Sequence, residues 1–376
     1  MMKYSRITGT GSYLPEKVLT NHDLEKIMDT SDEWIRDRTG IYERHIAAGD
    51  ETTCDLAEIA AGRAMEAAGR TPRQIDLIVL ATTTPDRVFP STACLLQQRL
   101  DIHGTAAFDV QAVCTGFVYA LGIADKFIKT GAAKCALVVG AETLSRIVDW
   151  NDRGTGILFG DGAGAFVLQA SDEPGGILSA VMRSDGSGGN LLAVQAGGSK
   201  LPTSHETIDR KQHLIQMNGR EVFRFATRVM ASATRESAEK AGWGVEEIDF
   251  VIPHQANQRI IESAARGLRL PMDKFIVNLE KYGNTSTASI PLAMVEALDD
   301  GRIHDGANLV LVGFGAGLTW GALSMQWVEP KLKVSELDRR RRGLFTWWAR
   351  LRSFLRRVQR RVEGLIWGTT SKGRKD

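Results

Sequence analysis

Apolar positions along the chain fall into two kinds of run, and both kinds recur in the same order. An amphipathic stretch at about Leu56–Ala68 has helical spacing and leads into Ile75-Asp76-Leu77-Ile78-Val79. A second, at about Phe223–Ala241, leads into Ile248-Asp249-Phe250-Val251-Ile252. These strings superimpose at an offset of 173 residues, which also carries Ala68-Gly69 onto Ala241-Gly242 and Leu137-Val138-Val139-Gly140 onto Val310-Leu311-Val312-Gly313. Short Ile/Val runs bounded by turn residues read as buried parallel strands. Between the matched strands lies a further helix in each half, near Thr115–Lys129 and Ala288–Leu298. Alternating strand and helix implies crossovers and a parallel-rich sheet. Two such halves, 1–172 and 173–328, predict a duplicated five-layered α-β-α-β-α fold of the α/β class, followed by a tail at 329–376. Ile-Asp-Leu-Ile is a common string, so the second match at the same offset carries the argument.

Composition changes this picture little. The 376 residues are 43% hydrophobic and 24% charged, an ordinary globular balance. The four cysteines form neither a disulfide scaffold nor a metal-ligand spacing, so no metal is expected. No signal peptide and no run of 18 apolar residues is seen, and a cytoplasmic location is expected. Charge does alter the reading. The net charge of +2 hides 15 Lys/Arg against 4 Asp/Glu in 331–376, which leaves 32 against 41 in 1–330. The body is acidic and the tail strongly basic.

Open α/β folds bind ligands beyond the carboxyl ends of their strands. Cys114 follows Ala107-Phe108-Asp109-Val110 and opens a predicted helix, where unpaired N–H groups favour thiolate. His254 alone of the seven histidines ends a buried strand and enters a helix; the others sit in polar contexts typical of a surface. Asn284 lies in Gly283-Asn284-Thr285-Ser286, a turn before a helix. Under the 173-residue offset Cys114 falls on Thr287, Asn284 on Gln111 and His254 on Ala81. A pseudo-dyad could therefore bring one thiol from the first half to a His and an Asn from the second. Each residue also has a plainer reading. A lone cysteine is more often a buried structural thiol, the reading adopted for Cys54, Cys94 and Cys135, and an Asn before a helix is ordinarily a cap.

The motifs taken together resemble the beta-ketoacyl-[acyl-carrier-protein] synthase III family of thiolase-fold condensing enzymes. The resemblance spans about residues 3–327 and rests on Gly9-Thr10-Gly11-Ser12-Tyr13-Leu14-Pro15, Thr30-Ser31-Asp32-Glu33-Trp34-Ile35 and Arg38-Thr39-Gly40-Ile41. It rests further on the Cys114 segment, Phe159-Gly160-Asp161-Gly162-Ala163-Gly164, His254-Gln255-Ala256-Asn257, Gly283-Asn284-Thr285-Ser286 and Gly313-Phe314-Gly315-Ala316-Gly317. It implies a thiolase-like fold, a Cys114–His254–Asn284 triad and decarboxylative condensation of an acyl-CoA with malonyl-acyl carrier protein. Acyl-CoA is then a substrate, and no cofactor is implied. The resemblance also implies an oxyanion loop at Gly315, Ala316 and Gly317, and CoA contacts at Thr30, Trp34, Arg38, Arg153, Gly219 and Asn257. Arg224, Arg259 and Arg266 would dock the acidic carrier protein. Phe89 would reach the acyl pocket of a second copy, implying a homodimer. Trp34 alone could equally be a core anchor. Ala316 stands where many relatives carry Gly, and Leu191–His213 reads as a polar, insertion-like loop. A thiolase would want a second reactive cysteine in the Gly313–Gly317 loop, and none is there. Two alternatives stay open: a related enzyme of specialised lipid synthesis with a longer or aromatic donor, and a catalytically idle membrane-tethered scaffold.

The tail departs most from that pattern. After Arg339-Arg340-Arg341-Arg342, the residues Leu344, Trp348, Leu351, Leu355, Val358, Val362 and Leu365 fall at steps of three and four. Three of the eight tryptophans lie in this region, and arginines fill the remaining faces. A basic, Trp-bearing amphipathic helix over 339–367 suits an anionic membrane surface, which would place the protein at the inner face of the membrane. A helix packing on the body or its dimer mate is the plainer reading, and nucleic acid is not expected as a partner.

Overall fold

The computed structural model describes residues 3–330 and Val358, so the basic amphipathic tail expected over 339–367 otherwise lies outside the described residues. In chain order the first half contributes β1 (Tyr4–Tyr13), α1 (Asp32–Thr39), α2 (Thr53–Ala67), β2 (Leu77–Ala81), α3 (Thr92–Arg99), β3 (Ala106–Val110), α4 (Gly116–Lys129), β4 (Cys135–Thr143) and β5 (Asp161–Ser171). The second contributes β6 (Gly176–Ser184), α5 (Gly219–Ala241), β7 (Phe250–Pro253), α6 (Gln258–Leu268), α7 (Ser289–Asp299), β8 (Asn308–Gly315) and β9 (Thr319–Gln326).

These strands form two sheets, ordered β1-β5-β4-β2-β3 and β7-β8-β9-β6, beside two small two-stranded sheets, Lys17–Thr20 with Glu43–Ile46 and Leu192–Ala193 with Gln216–Met217. Under the 173-residue offset β2 falls on β7 and β4 on β8, and each pair occupies the equivalent place in its sheet. β3 has no full counterpart: at the equivalent edge of the second sheet Phe275 makes a single parallel bridge to Val251. The duplicated Ile-Asp has a structural reason. Asp76 accepts from the N–H groups of Lys134 and Cys135 at 2.9 and 3.0 Å, and Asp249 accepts from Asn308 N–H at 2.8 Å. Each aspartate thus clamps the start of its neighbouring strand.

The expectation of a parallel-rich sheet needs correction. Only β4, β2 and β3 run parallel in the first sheet and β7 and β8 in the second; β1, β5, β6 and β9 pair antiparallel. The link from β8 to β9 is only Ala316–Leu318. A parallel crossover needs a dozen or more residues, so so short a link forces a hairpin.

Alternation along the strands divides their side chains between separate cores. Leu77, Val79 and Ala81 face an inner core with α4 and α7, as do Leu309 and Leu311. Ile78 and Leu80 face outward to α2, while Val310 and Val312 face outward to α5 and α6. The layers are therefore helix, sheet, central helices, sheet, helix. Each fully buried Leu, Ile or Val contributes about 1.5–3 kcal/mol, an upper figure because the unfolded chain is itself partly compact. Among the described residues no helix is long and apolar enough to cross a membrane.

The two central helices start in matched turns. Residues 113–115 precede α4 and 286–288 precede α7, again 173 apart, and the turns pack on each other across the halves. Both begin with a non-glycine residue in the left-handed region: Val113 at φ 48° and Ser286 at φ 48°. Such a conformation costs on the order of 1–3 kcal/mol per residue and persists where surrounding structure enforces it.

Candidate active site

The turn carrying Cys114 is held between α4 and the end of β8. Gly315 passes so close that a Cβ there would lie 2.8 Å from Cys114 N and 3.3 Å from both Ala112 O and Thr115 N. Only glycine allows that approach. Cys114 is 4% exposed, and Ser286 stands with it in the wall of one cavity. Burial works against the thiolate that a helix N-terminus would favour. Desolvation pushes the thiol up to about 12, the Ser286 hydroxyl opposes this, and the nearby Glu142 carboxylate raises it further.

β8 also supports His254. The Val312 carbonyl accepts from His254 N–H at 2.8 Å, and the Phe314 ring meets the imidazole edge-on with centroids 5.3 Å apart. His254 is 1% exposed, and burial pushes it down to about 3, so the imidazole is neutral. Ser289 Oγ lies 2.7 Å from His254 Nδ1 and 2.8 Å from the Ser286 carbonyl oxygen. One hydroxyl proton serves both contacts. Donated to Nδ1, it leaves the ring hydrogen on Nε2; donated to the carbonyl, it leaves the hydrogen on Nδ1 and makes Nε2 an acceptor.

Asn284, 6% exposed, is oriented without ambiguity. Its Oδ1 accepts from Ser286 N–H at 2.9 Å, so its NH₂ group faces away from that turn. Its backbone is fixed to the 158–160 segment, with Asn284 N–H donating to Leu158 O at 2.8 Å and Gly160 N–H to Asn284 O at 3.0 Å. The single turn Asn284–Ser289 therefore meets all three residues: Ser286 shares a cavity wall with Cys114, Asn284 is held by Ser286, and Ser289 bonds the imidazole.

A cavity of about 250 Å³ opens beside Cys114, with Leu144, Ile147, Phe159 and Ile215 among its apolar lining. Of the three residues only Cys114 is in its wall, together with Ser286 and Ala316. Leu192, Ala193 and Val194 line it too, so Leu191–His213 is not a bare loop. That segment holds a short helix at His205–Asp209, and Leu192–Ala193 pairs with Gln216–Met217.

Sequence reasoning missed Glu142, Ser286 and Ser289. Glu142 ends the apolar strand β4, fully buried, with a carboxylate ringed by hydroxyl and amide donors from Thr82, Thr83, Thr84, Ser286 and Thr287. Burial raises its pKa and the hydroxyls oppose the rise. A lone glutamate closing a Val-Val-Gly-Ala run, opposite a Thr-Thr-Thr string, was the available signal.

Away from the thiol, Trp34 is half-buried beneath two guanidinium groups, Arg38 at 5.2 Å and Arg153 at 5.1 Å from its ring centroid. Thr30 lies four residues before it on the chain, and its buried Oγ1 has no partner among the described residues. Asn257 is engaged at both ends, capping α6 through Arg259 N–H and donating to Arg38 O, each at 2.9 Å. Gly219 is exposed at the start of α5. Arg224 on α5 and Arg259 and Arg266 on α6 are exposed, on two helices that pack together. Arg220 and Arg228 extend the α5 arginines at four-residue steps. Phe89 and Val88 protrude from the β2–α3 loop, 83% and 90% exposed. Cys94 was expected to be buried and is exposed on α3, whereas Cys54 and Cys135 are buried. Among the described residues no group of three His, Cys, Asp or Glu could hold a metal ion.

A buried thiol beside an apolar cavity, with a neutral imidazole and an outward-facing amide on the adjoining turn, defines an acyl-transfer type of site on a duplicated α/β fold. Comparison with known proteins makes the class specific. The family model described as 3-oxoacyl-[acyl-carrier-protein (ACP)] synthase III matches residues 108–186, and that of its C-terminal region matches 238–327. A beta-ketoacyl-[acyl-carrier-protein] synthase III of Thioalkalivibrio sulfidiphilus is 60% identical over 326 residues, 87% of this chain and 100% of that protein. One from Symbiobacterium thermophilum is 56% identical over 85% of this chain and 97% of its own. The crystal structure of 3-oxoacyl-[acyl-carrier-protein] synthase III from Aquifex aeolicus superimposes with a TM-score of 0.80 at 50% identity, covering 86% of this chain and 100% of that one. The chain belongs to the beta-ketoacyl-[acyl-carrier-protein] synthase III family.

Proposed function

We propose that the protein is an acyltransferase that condenses an acyl-CoA primer with malonyl-acyl carrier protein, giving a 3-oxoacyl-acyl carrier protein, CoA and CO₂. The observation that carries this reading is the Asn284–Ser289 turn, which holds the amide and the imidazole and brings Ser286 to the cavity wall that Cys114 shares. Cys114 Sγ attacks the primer thioester carbonyl, a C–S bond forms, and CoA leaves. Backbone N–H groups at Cys114 and in the Gly315–Ala316–Gly317 loop are the donors for the oxyanion. In the second step His254 Nε2–H and the Asn284 NH₂ donate to the malonyl thioester carbonyl. They stabilise the enolate as CO₂ departs, and its carbon attacks the acyl group on Cys114. The Ser289 hydroxyl donating to Nδ1 is the arrangement this step uses. Decarboxylation supplies the driving force, so the reaction is written without metal or redox cofactor.

The Trp34 platform with Arg38 and Arg153 supports binding of the CoA adenine and phosphates, with the unpartnered Thr30 hydroxyl close by in sequence. In this reading Gly219 and Asn257 border the pantetheine path, Asn257 by holding Arg38. Arginines 224, 259 and 266 offer a cationic face to an acidic carrier protein, which steers encounter on an otherwise acidic body. The exposed Val88 and Phe89 support a homodimer in which Phe89 reaches the acyl pocket of a second copy; sedimentation as a monomer at micromolar concentration would end that part. Beyond residue 327, where the family match stops, the 339–367 pattern supports attachment of a cytoplasmic enzyme to an anionic membrane surface. Flotation with anionic liposomes tests it: a chain ending at Trp327 should stay behind, and equal flotation of both forms removes this part.

The catalytic reading is tested by peptide mapping after incubation with acetyl-CoA and octanoyl-CoA. It expects one acyl group, on Cys114. Acylation at Cys54, Cys94 or Cys135 instead, or at none of the four, contradicts it.

A further inference from the structure

Arg44, in the Glu43–Ile46 strand, is fully buried. Among the described residues its guanidinium donates only to neutral oxygens: Leu19 O at 3.2 Å, Asn21 Oδ1 at 2.9 Å and Ile157 O at 2.7 Å. Its Nε is buried and has no hydrogen-bond partner among those residues. Taking a cation out of water without pairing it is unfavourable, and an apolar side chain of similar size would cost less. Stability therefore does not account for Arg44, whereas the segment it holds does: residues 157–160 are the ones from which Asn284 hangs. We infer that Arg44 is a positioning residue for condensation, fixing the 157–160 segment so that the Asn284 amide meets the malonyl thioester. This inference rests on the reading of Asn284 as a donor to the enolate.

The path from guanidinium to amide is short. Asn284 N–H donates to Leu158 O at 2.8 Å, and Leu158 directly follows Ile157, whose carbonyl Arg44 Nη2 holds. Gly160 N–H donates to Asn284 O at 3.0 Å, and Phe159 pairs with Asn284 as an isolated parallel bridge. The stem of Arg44 packs beside that bridge. A Cβ on Gly160 would lie 3.0 Å from Arg44 Cβ and 2.6 Å from Tyr282 O. One on Gly283 would lie 3.3 Å from Arg44 Cβ and 2.9 Å from Leu158 O. The backbones of 157–160 and 282–284 thus meet against Arg44 with no room for a further side chain between them.

A residue that positions another must itself be anchored. Arg44 Nη1 is anchored through Asn21, which is 1% exposed and donates from Nδ2 to Asp32 Oδ1 at 2.9 Å and to Ile41 O at 2.8 Å. Asp32 opens α1, the helix that carries Trp34 and Arg38. Ile157 is buried with Leu24 and Ile35, and Trp34 and Leu158 pack against the three. One guanidinium therefore joins the base of the Trp34 helix to the segment that carries Asn284. Cys114 and His254 are supported instead by β8, through Gly315 and Val312. Loss of Arg44 should accordingly reach the chemistry through Asn284 alone.

Arg44→Met keeps an unbranched stem beside Gly160 and Gly283 and removes every donor. Single-turnover acylation is followed by intact mass with acetyl-CoA, whose two-carbon acyl group makes the least demand on the Phe159 wall of the cavity. It should stay within about threefold of wild type. Fully acylated enzyme is then mixed with malonyl-acyl carrier protein, and condensation should fall about 10–10²-fold, since a misplacement of about 1 Å costs on the order of 10² in rate. A double-mutant cycle with Asn284→Ala separates positioning from general loosening. If Arg44 acts through Asn284, the double variant condenses within about threefold of Asn284→Ala alone; losses that multiply overturn the inference. Wild-type condensation in Arg44→Met overturns it too, as does equal loss in both steps. If Arg44→Met does not fold, Arg44→Lys, which keeps the cation, decides through the same cycle: a smaller loss absorbed by Asn284→Ala supports the inference, and wild-type condensation overturns it. Asn284→Ala condensing at the wild-type rate would instead overturn the underlying reading of Asn284.

Discussion

Replacing Gly315 by alanine isolates how tightly the Cys114 turn is positioned. The new Cβ would lie 2.8 Å from Cys114 N and 3.3 Å from Ala112 O and Thr115 N, all backbone atoms that no rotamer change can move. Restoring a 3.4 Å contact shifts the Cys114 turn by about 0.6 Å. Overpacking of this kind costs about 1–3 kcal/mol of stability. A reacting atom displaced by about 1 Å loses on the order of 10² in rate, so acylation should fall roughly tenfold. Gly313→Ala is the internal control. Its Cβ would meet Cys114 O at 3.4 Å and Ile290 Cδ1 at 3.5 Å, ordinary contact, so it should acylate within about threefold of wild type. Urea midpoints and single-turnover acylation by acetyl-CoA measure both effects. Wild-type acylation and an unchanged midpoint in Gly315→Ala would refute the reasoning, as would equal damage from Gly313→Ala.

Three other substitutions probe different parts of the site. Asn284→Asp keeps an oxygen for Ser286 N–H but turns the outward donor into an acceptor. Condensation should fall 10²–10³-fold while acylation changes by less than about threefold, and equal loss in both steps would contradict the assigned role. His254 is held near 3 in the folded protein against about 6.5 when unfolded, so the unfolded chain binds the extra proton between those values. Stability is therefore lost as pH falls through that window, by up to about 1.4 kcal/mol per pH unit. His254→Asn should flatten the urea midpoint profile between pH 6 and 4, and parallel profiles would count against a neutral buried imidazole. Trp34→Ala removes the surface on which Arg38 and Arg153 lie. The KM for acyl-CoA should rise about tenfold or more with kcat nearly unchanged, since stacking a base on an aromatic ring is worth about 1–3 kcal/mol; a loss confined to kcat would argue against the platform.

Much of the fold was legible because burial writes itself into periodicity. The helix expected near Thr115–Lys129 is α4 at Gly116–Lys129, and that near Ala288–Leu298 is α7 at Ser289–Asp299. Strand direction was not legible, because side-chain alternation is the same in parallel and antiparallel pairs. The site was legible where chemistry needs a rare residue in a marked place, as with Cys114 at a helix start and His254 after a buried strand. Ser286 and Ser289 were not, because serines before a helix read as caps, and nothing in their type foretells φ 48° or a bond to an imidazole. Glu142 was hidden because its donors come from Thr82–Thr84 and from Ser286–Thr287, segments brought together only by folding the halves face to face. Cys94 was misjudged because a helix start reveals the element and not which face the position occupies.

The central claim is that Cys114 holds an acyl group while His254 and Asn284 stabilise the malonyl enolate. One measurement addresses it most directly: mass spectrometry of the carrier protein after the enzyme is given acyl-CoA and malonyl-acyl carrier protein, with released CO₂ counted. The account predicts a 3-oxoacyl-carrier protein carrying the primer's carbons plus two, one CO₂ per product, and no product from Cys114→Ala. Unchanged malonyl-carrier protein with wild-type enzyme, or product formed by Cys114→Ala, would contradict it.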